Sequence, residues 1–308
     1  MTMMTEQILS DTDRALGFTI PSRHARGRVV RLGASLDTIL SAHAYPPAIE
    51  RLLTEALALC ALMGSTLKDE SGQLTMQTRS DAGVVQLLVC DYRGGELRGY
   101  IQYDADRLAE APEQPTLFAL FGQGYLAITF DLATSGERYQ GIVPLDAETL
   151  AEAAQSYFVQ SEQIPTLIRL GIGRDATGRT IAGGMLLQHL PEGEVGRERL
   201  HTRLDHPEWE HVAALGSTMG VDELADPAIP LETLIWRLFN EESEIRVLAS
   251  TPIVRGCRCT PDHILGVLAK FPVEDRREMA DANGVIEVDC AFCATKFPVS
   301  AEDLTPMR

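Results

Sequence analysis

The sequence GCRCT at residues 256–260 and the sequence DCAFCAT at residues 289–295 hold four of the six cysteines of this 308-residue chain. Thirty residues separate the Cys-x-Cys pair from the Cys-x-x-Cys pair. Two close pairs let two turns of the chain each present two thiolates to one tetrahedral ion. The pattern therefore predicts a site for one zinc ion per chain, and its predicted ligands are Cys257, Cys259, Cys290 and Cys293.

A zinc site with four sulfur ligands has no open position for water, so the pattern does not indicate hydrolytic zinc chemistry or an enzyme. Residues 256–308 are too few to fold on a hydrophobic core alone. Zinc bound by thiolates can contribute on the order of 10–16 kcal/mol of folding free energy. His263 lies close to Cys259 in the sequence, and we expect it to be an exposed residue in the first turn of a helix instead of a ligand.

The two remaining cysteines are predicted to be chemically inert core residues. Cys60 falls on the apolar face of an amphipathic helix predicted over residues 46–67. Cys90 ends an apolar, strand-like run. Free cysteine in such positions behaves as a small hydrophobic residue.

The composition is that of a globular protein, with 45% hydrophobic and 23% charged residues. The net charge of −17 disfavours a nucleic-acid or membrane partner, because phosphate backbones and anionic lipid are also negative. The sequence begins with neither a basic segment nor an apolar run, so we expect a cytoplasmic protein. In that reducing compartment, clustered cysteines indicate metal binding or redox chemistry more often than structural disulfides.

The hydrophobic pattern predicts an α+β fold with four parts. Residues 1–25 are predicted to be a mobile extension, and residues 26–190 an α+β core domain with a mainly antiparallel sheet. Besides the helix at residues 46–67, a second helix is predicted over residues 148–163. Strands are predicted at RVVRLG, LTMQTR, VVQLLVC, ELRGYIQY, YLAITFDL, TLIRLGIG and TIAGGMLL.

Residues 191–255 are predicted to be a weakly packed helical linker, with 13 acidic residues against six arginines. Its short helices, around residues 201–215 and 230–240, are interrupted by prolines. Residues 256–308 are predicted to form a small zinc-binding domain. In it, Thr260 caps a helix, and VIEVD and KFPV pair as a hairpin around the second cysteine pair.

The cysteine block resembles the C-terminal block of the redox-regulated heat-shock protein 33 family, which has Cys-x-Cys, about thirty residues, then Cys-x-x-Cys. The segments EALALCALM, DYRGGELRGY, SYFVQSEQIPT and GGMLLQ are similar to that family as well. The resemblance covers the chain from about residue 26 to its end. It departs at Gly256, Thr260 and Ala291, where the family tends to have other residues, and the departure at Ala291 bears on how easily the second pair oxidises.

The resemblance implies an ATP-independent chaperone, a holdase without catalytic turnover. In the reduced state, zinc would hold the four thiolates and the protein would be inactive. Oxidation would form the redox-active disulfides Cys257–Cys259 and Cys290–Cys293 and release the metal. The zinc domain and the linker would then lose structure and expose apolar surface, which would capture unfolding client proteins under oxidative stress. The resemblance also implies a homodimer in this active, oxidised state.

Two alternatives from the residues themselves remain. A thiol–disulfide oxidoreductase could use Cys290-Ala291-Phe292-Cys293, although this motif follows a strand instead of opening a helix. A zinc-ribbon nucleic-acid binder would need a basic face, whereas residues 255–308 carry seven basic and nine acidic residues. Reduction of insulin would favour the oxidoreductase, and oxidation-dependent suppression of aggregation would favour the chaperone.

Overall fold

A computed structural model describes residues 11–190 and 205–300. Its helices are α1 Ala34–Leu40, α2 Pro47–Gly64, α3 Ala105–Glu110, α4 Leu117–Phe121, α5 Leu150–Tyr157, α6 Pro207–Ser217, α7 Val221–Ala225, α8 Leu231–Phe239, α9 Pro261–Leu268 and α10 Val273–Met279. Its strands are β1 Arg14–Ile20, β2 Ala25–Leu32, β3 Gln73–Arg79, β4 Val85–Arg93, β5 Glu96–Tyr103, β6 Tyr125–Leu132, β7 Glu137–Pro144, β8 Thr166–Arg174, β9 Thr180–His189, β10 Arg246–Val247, β11 Thr251–Pro252, β12 Val254–Arg255, β13 Val285–Asp289 and β14 Lys296–Ser300. None of the helices in these two ranges is long and apolar enough to cross a bilayer.

The strands form two six-stranded sheets and one hairpin. Sheet A has the order β10-β1-β2-β9-β8, and β11 also pairs with β1. Sheet B has the order β12-β5-β4-β3-β6-β7. Every pairing is antiparallel except that of β12 with β5, and β13 and β14 form the separate hairpin. The predicted α+β class with mainly antiparallel strands is confirmed, and all seven predicted strand segments of residues 26–190 are present.

Helix α2 is the centre of the main core, because it contacts strands of both sheets. Proline occupies its first turn, where no backbone donor is needed, and leucine and alanine, both strong helix formers, fill most of its interior. Thirteen of its 18 residues are buried. The sequence predicts one apolar face for this helix. The structure instead buries it nearly all round, because a sheet covers each side.

The N-terminal residues 11–25 are not an extension, so that part of the prediction is wrong. Strand β1 pairs with β2 along its whole length, and a 3-10 turn at Pro21–Arg23 joins the two strands. The side chains of Phe18 and Ile20 are fully buried. The interior position of β1 in sheet A therefore orders this segment, and residues 1–10 lie outside the described part.

Residues 205–255 are well packed, which corrects the interpretation of a weakly packed linker. Helices α6 to α8 cover one face of sheet A and form a second hydrophobic cluster with it. From the helices, the cluster takes Trp209, Val212, Leu224, Leu231, Leu234, Ile235 and Phe239, and from the sheet Leu16, Phe18, Ile20, Val29, Met185 and Leu187. The acidic residues of this segment are exposed or half-buried, apart from the buried carboxylate of Glu242, which pairs with Arg23 and His211. The net charge of the segment therefore did not indicate its packing. Residues 191–204 lie outside the described part.

Other boundaries also differ from the sequence prediction. The helix predicted over residues 148–163 ends as an α-helix at Tyr157 and continues as a π-helical turn to Glu162. The helix predicted around residues 201–215 covers Pro207–Ser217 within the described part. Strand β7 was not predicted. It is an edge strand with mostly exposed side chains, and it therefore lacks the apolar alternation of a half-buried strand.

Helix α7 lies directly against the backbone of sheet A. A Cβ atom added to Gly171 of β8 would lie 1.9 Å from the carbonyl oxygen of Val221. One added to Gly183 of β9 would lie 2.0 Å from the carbonyl oxygen of Leu224. Only glycine at these two positions lets the helix backbone approach the strands this closely.

The buried side chain of Arg31 also holds helix α7 and the loop after it in place. Its guanidinium donates hydrogen bonds to the carbonyl oxygens of Glu223, Leu224 and Ile229 at 3.2, 3.0 and 2.7 Å. It also pairs with the carboxylate of Asp11 at 2.8 Å. Burial lowers the pKa of Arg31, because removal from water disfavours the charged form. The carbonyl groups of α7 and the loop after it thus satisfy a cation that would otherwise be costly to bury.

We expect Gly183→Ala to weaken the docking of residues 205–255 by about 1–3 kcal/mol, the usual cost of overpacking. Both tryptophans of the chain, Trp209 and Trp236, lie in this segment, so their fluorescence during urea unfolding reports its release. Gly266→Ala in α9 is the control, because a Cβ there meets no atom within 4 Å. Equal urea midpoints for the two variants would contradict the close-approach argument.

Candidate metal centre

The second cysteine pair lies in the turn of the β13–β14 hairpin. The backbone amide of Cys290 donates to the carbonyl oxygen of Thr295 at 3.0 Å, which closes the turn. The amides of Cys293 and Ala294 both donate back to the carbonyl oxygen of Cys290, at 3.3 and 2.8 Å. Ala294 adopts a positive φ of 54° to complete this tight path. The turn brings both thiols of the pair to one side.

The first cysteine pair lies in an extended stretch between β12 and α9. Upstream, the amide of Gly256 donates to the carbonyl oxygen of Leu97 at 2.9 Å, which ties the stretch to sheet B. Downstream, the hydroxyl of Thr260 accepts a hydrogen bond from the amide of His263 at 3.1 Å, and Pro261 begins the helix. The predicted N-cap at Thr260 is confirmed.

The four thiols converge on one point. The Sγ atom of Cys257 lies 3.1 Å from that of Cys259 and 3.6 Å from that of Cys290. The Sγ atoms of Cys259 and Cys293 are 3.3 Å apart. All four sulfurs lie within 4.8 Å of one another, and within the described ranges no other group of three or more possible ligands is so close.

These distances fit a tetrahedral ion with sulfur ligands. Zn–S bonds of about 2.3 Å place the sulfurs of a tetrahedral site roughly 3.8 Å apart. Four soft sulfur ligands suit zinc and disfavour magnesium or calcium, which prefer oxygen. The cluster can therefore hold one metal ion of the kind that the sequence predicts.

The thiols of the cluster differ in acidity. Burial raises the pKa of Cys259 and of Cys290, because the thiolate is less well solvated there. Burial acts in the same direction on Cys293, but hydrogen bonds from the Thr295 hydroxyl and amide and from the neighbouring thiols outweigh it and lower its pKa to about 6. The thiol of Cys293 lies 3.2 Å from Thr295 Oγ1.

Thr295 was missed by the sequence prediction, since a threonine two residues after a cysteine forms no recognisable pattern. His263 is exposed and does not belong to the cluster, as predicted. Cys60 and Cys90 are fully buried in the main core, and burial raises the pKa of both thiols. Their predicted burial is confirmed, and both lie outside the thiol cluster.

The block that carries the cluster has very little core of its own. Its hydrophobic cluster contains three buried side chains, those of Leu268, Ile286 and Val299. Below about 70 residues, a domain with so small a core depends on metal ions or disulfides for its stability. The four sulfurs are the feature of the block that can supply this stabilisation.

The sequence matches a known family over almost its whole described length. The family model described as Hsp33 protein matches residues 13–300. A protein named 33 kDa chaperonin from Caulobacter vibrioides is 42% identical over 289 residues, which covers 92% of this chain and 93% of that protein. The 33 kDa chaperonin of Pseudomonas fluorescens Pf-5 is 36% identical over 301 residues, covering 97% and 94%.

A solved structure shows the same fold. The crystal structure of the 33 kDa chaperonin from Thermotoga maritima, a heat shock protein 33 homologue, superposes with a TM-score of 0.73. The two sequences are 24% identical, and the superposition covers 95% of this chain and 96% of that one.

We expect the reduced protein to hold one zinc ion per chain, measured by elemental analysis after removal of free metal. The Cys290→Ser, Cys293→Ser double variant removes two of the four sulfurs and should lose the bound zinc. The control is the Cys60→Ala, Cys90→Ala double variant. It should keep its zinc and lose only about 0.5–1.5 kcal/mol of stability per site, as for other losses of one buried heavy atom. Unchanged zinc in the first variant would overturn the assignment.

Proposed function

The chain belongs to the Hsp33 family, and we propose that it is an ATP-independent molecular chaperone that oxidation activates in the cytoplasm. Its function would be to hold unfolding proteins under oxidative stress, without catalytic turnover. The observation that carries the proposal is the convergence of four thiols, all within 4.8 Å, in a block with almost no hydrophobic core. A block of this kind loses its structure when its thiols change state.

In the reduced state we propose that Cys257, Cys259, Cys290 and Cys293 are the ligands of one zinc ion. Zinc would supply the positive charge that keeps four closely spaced thiolates ionised. The hydroxyl of Thr295 lies 3.2 Å from the Cys293 sulfur, and it would donate a hydrogen bond to that sulfur in the thiolate form. The β13–β14 turn and the Thr260 cap would keep the two pairs facing each other.

Activation would convert the four thiolates into two disulfides. Each disulfide forms one S–S bond and releases two electrons. Four thiolates, two molecules of hydrogen peroxide and four protons therefore give two disulfides and four molecules of water. A thiolate attacks the peroxide oxygen more readily than a thiol does, and in the zinc-bound state all four cysteines would be thiolates. The sulfur distances of 3.1 Å within the first pair and of 3.6 and 3.3 Å between the pairs are similar, so they do not select a disulfide pairing. The proposed pairing, Cys257–Cys259 and Cys290–Cys293, is the one that the family resemblance implies.

Loss of the sulfur ligands would open the C-terminal part of the protein. Residues 205–255 cover an apolar face of sheet A. They end in strand β12, which pairs with β5 and leads directly into the cysteine block. When the block unfolds, this segment loses the support at one of its ends. Its release would expose buried side chains such as Phe18, Val29 and Leu187, which can bind the apolar surface of an unfolding client.

The partners that we propose are unfolded or misfolded client proteins and, after oxidation, a second copy of the chain. The net charge of −17 favours neither nucleic acid nor anionic membranes as partners. The alternative function of a thiol–disulfide oxidoreductase has less support. The Cys290 pair lies in a hairpin turn, where no helix N-terminus stabilises a thiolate by its dipole.

We expect the reduced protein to leave the aggregation of a heat-unfolded client enzyme unchanged and the peroxide-treated protein to suppress it, without ATP, as measured by light scattering. The Cys60→Ala, Cys90→Ala variant should respond as the wild type does, because its thiol cluster is intact. In the Cys290→Ser, Cys293→Ser variant, the suppression of aggregation should be the same with and without peroxide.

Suppression of aggregation that is equal with and without peroxide in the wild type would contradict redox control. Efficient reduction of insulin by the reduced protein would instead support the oxidoreductase.

A further inference from the structure

Each cysteine pair has, between its two cysteines, a side chain that contacts sheet B. Arg258 lies between Cys257 and Cys259, and Phe292 lies between Cys290 and Cys293. Both side chains reach residues of sheet B, in β5 and, for Arg258, also in β3. Any change in the geometry of either pair therefore acts directly on a contact with the main core.

The ring of Phe292 makes a cation–π contact with Arg98 and an aromatic contact with Tyr100. The guanidinium carbon of Arg98 lies 4.0 Å from the centroid of the Phe292 ring, and the Tyr100 ring meets it edge-on at 4.9 Å and 81°. Arg98 and Tyr100 are two residues apart on β5, so both side chains project from the same face of the sheet. Together they form a two-residue seat for one ring.

The cationic part of this seat is held in place by a buried carboxylate. Arg98 donates to one carboxylate oxygen of Asp91 from Nε at 2.8 Å and from Nη2 at 2.6 Å. Asp91 is 4% exposed and also accepts a hydrogen bond from the hydroxyl of Thr75 at 2.8 Å. A guanidinium fixed in this way and shielded by a ring interacts more strongly with that ring than a mobile surface arginine does.

The contact of Arg258 is polar and lies beside the first. Its Nη1 donates to the side-chain oxygen of Gln73 at 2.5 Å, and its Nε lies 3.5 Å from the carboxylate of Glu96. The chain is close to the sheet here, because a Cβ added to Gly256 would lie 2.3 Å from the Cβ of Glu96. Glycine at position 256 permits this approach, because a larger side chain would overlap Glu96.

We infer that Phe292, seated on Arg98 and Tyr100, is a positioning residue that couples the state of the thiol cluster to sheet B, with Arg258 as a second, polar contact. The inference rests on the proposed function, since it concerns how the metal-loaded block stays docked. With four ligands in place, the turn around Phe292 holds the ring against β5. A disulfide in that turn requires an S–S bond of about 2.05 Å. The turn must then change shape, and the ring leaves its seat.

The variant Phe292→Ala tests the inference, because it removes the ring and keeps all four ligands. We expect it to bind one zinc per chain and to transfer it to a colorimetric chelator at least about fivefold faster than the wild type, given the usual strength of aromatic and cation–π contacts. Hydrogen exchange should also accelerate at the amides of Val254 and Gly256, which donate to the carbonyl oxygens of Gly95, just before β5, and of Leu97 in β5. Phe292→Tyr keeps the ring and should restore both values.

The control is Phe271→Ala, which removes an exposed aromatic ring of the same block. It should transfer zinc and exchange these amides as the wild type does. Equal rates for Phe292→Ala, Phe271→Ala and the wild type would overturn the inference. If that result comes with a wild type that binds zinc and responds to peroxide, only this inference fails. A wild type that holds no zinc would refute the proposed function and this inference together.

Discussion

The packing of the C-terminal block depends on four sulfur atoms that lie within 4.8 Å of one another. Three buried apolar side chains do not suffice to fold residues 256–300, so the block needs the sulfur cluster as its centre. Four thiolates at this spacing repel each other unless a cation lies among them. In the proposed function, the same constraint would make the stability of the block sensitive to an oxidant that removes the thiolates.

The segment between the block and the core has a different kind of stability. Residues 205–255 are held on sheet A by a hydrophobic cluster, by the close approach of α7 to Gly171 and Gly183, and by the buried guanidinium of Arg31. If the segment were released, as the proposed function requires, Arg31 would lose its carbonyl partners and the apolar face of the sheet would become accessible.

The sequence predicted most of the core and the thiol cluster, because these depend on local patterns. Alternating apolar residues identified the inner strands, and the spacing of the cysteines identified the four sulfurs. The packing of residues 205–255 was missed, since an acidic outer surface masked the apolar face of α8 (Leu231–Phe239). The contact between Phe292 and Arg98 joins residues far apart in the chain, and no local pattern encodes it. The predicted boundaries at residues 190 and 255 remain a proposal.

Hydrogen exchange of the reduced and the peroxide-oxidised protein, read segment by segment, tests the central claim most directly. The account predicts that oxidation removes protection from residues 205–300, while α2 (Pro47–Gly64) and β4 (Val85–Arg93) keep theirs, because both belong to the main core. A loss of protection that is equal in the two parts of the chain, or none in residues 205–300, would contradict the account. In either case the thiol cluster would not control a separate switch segment.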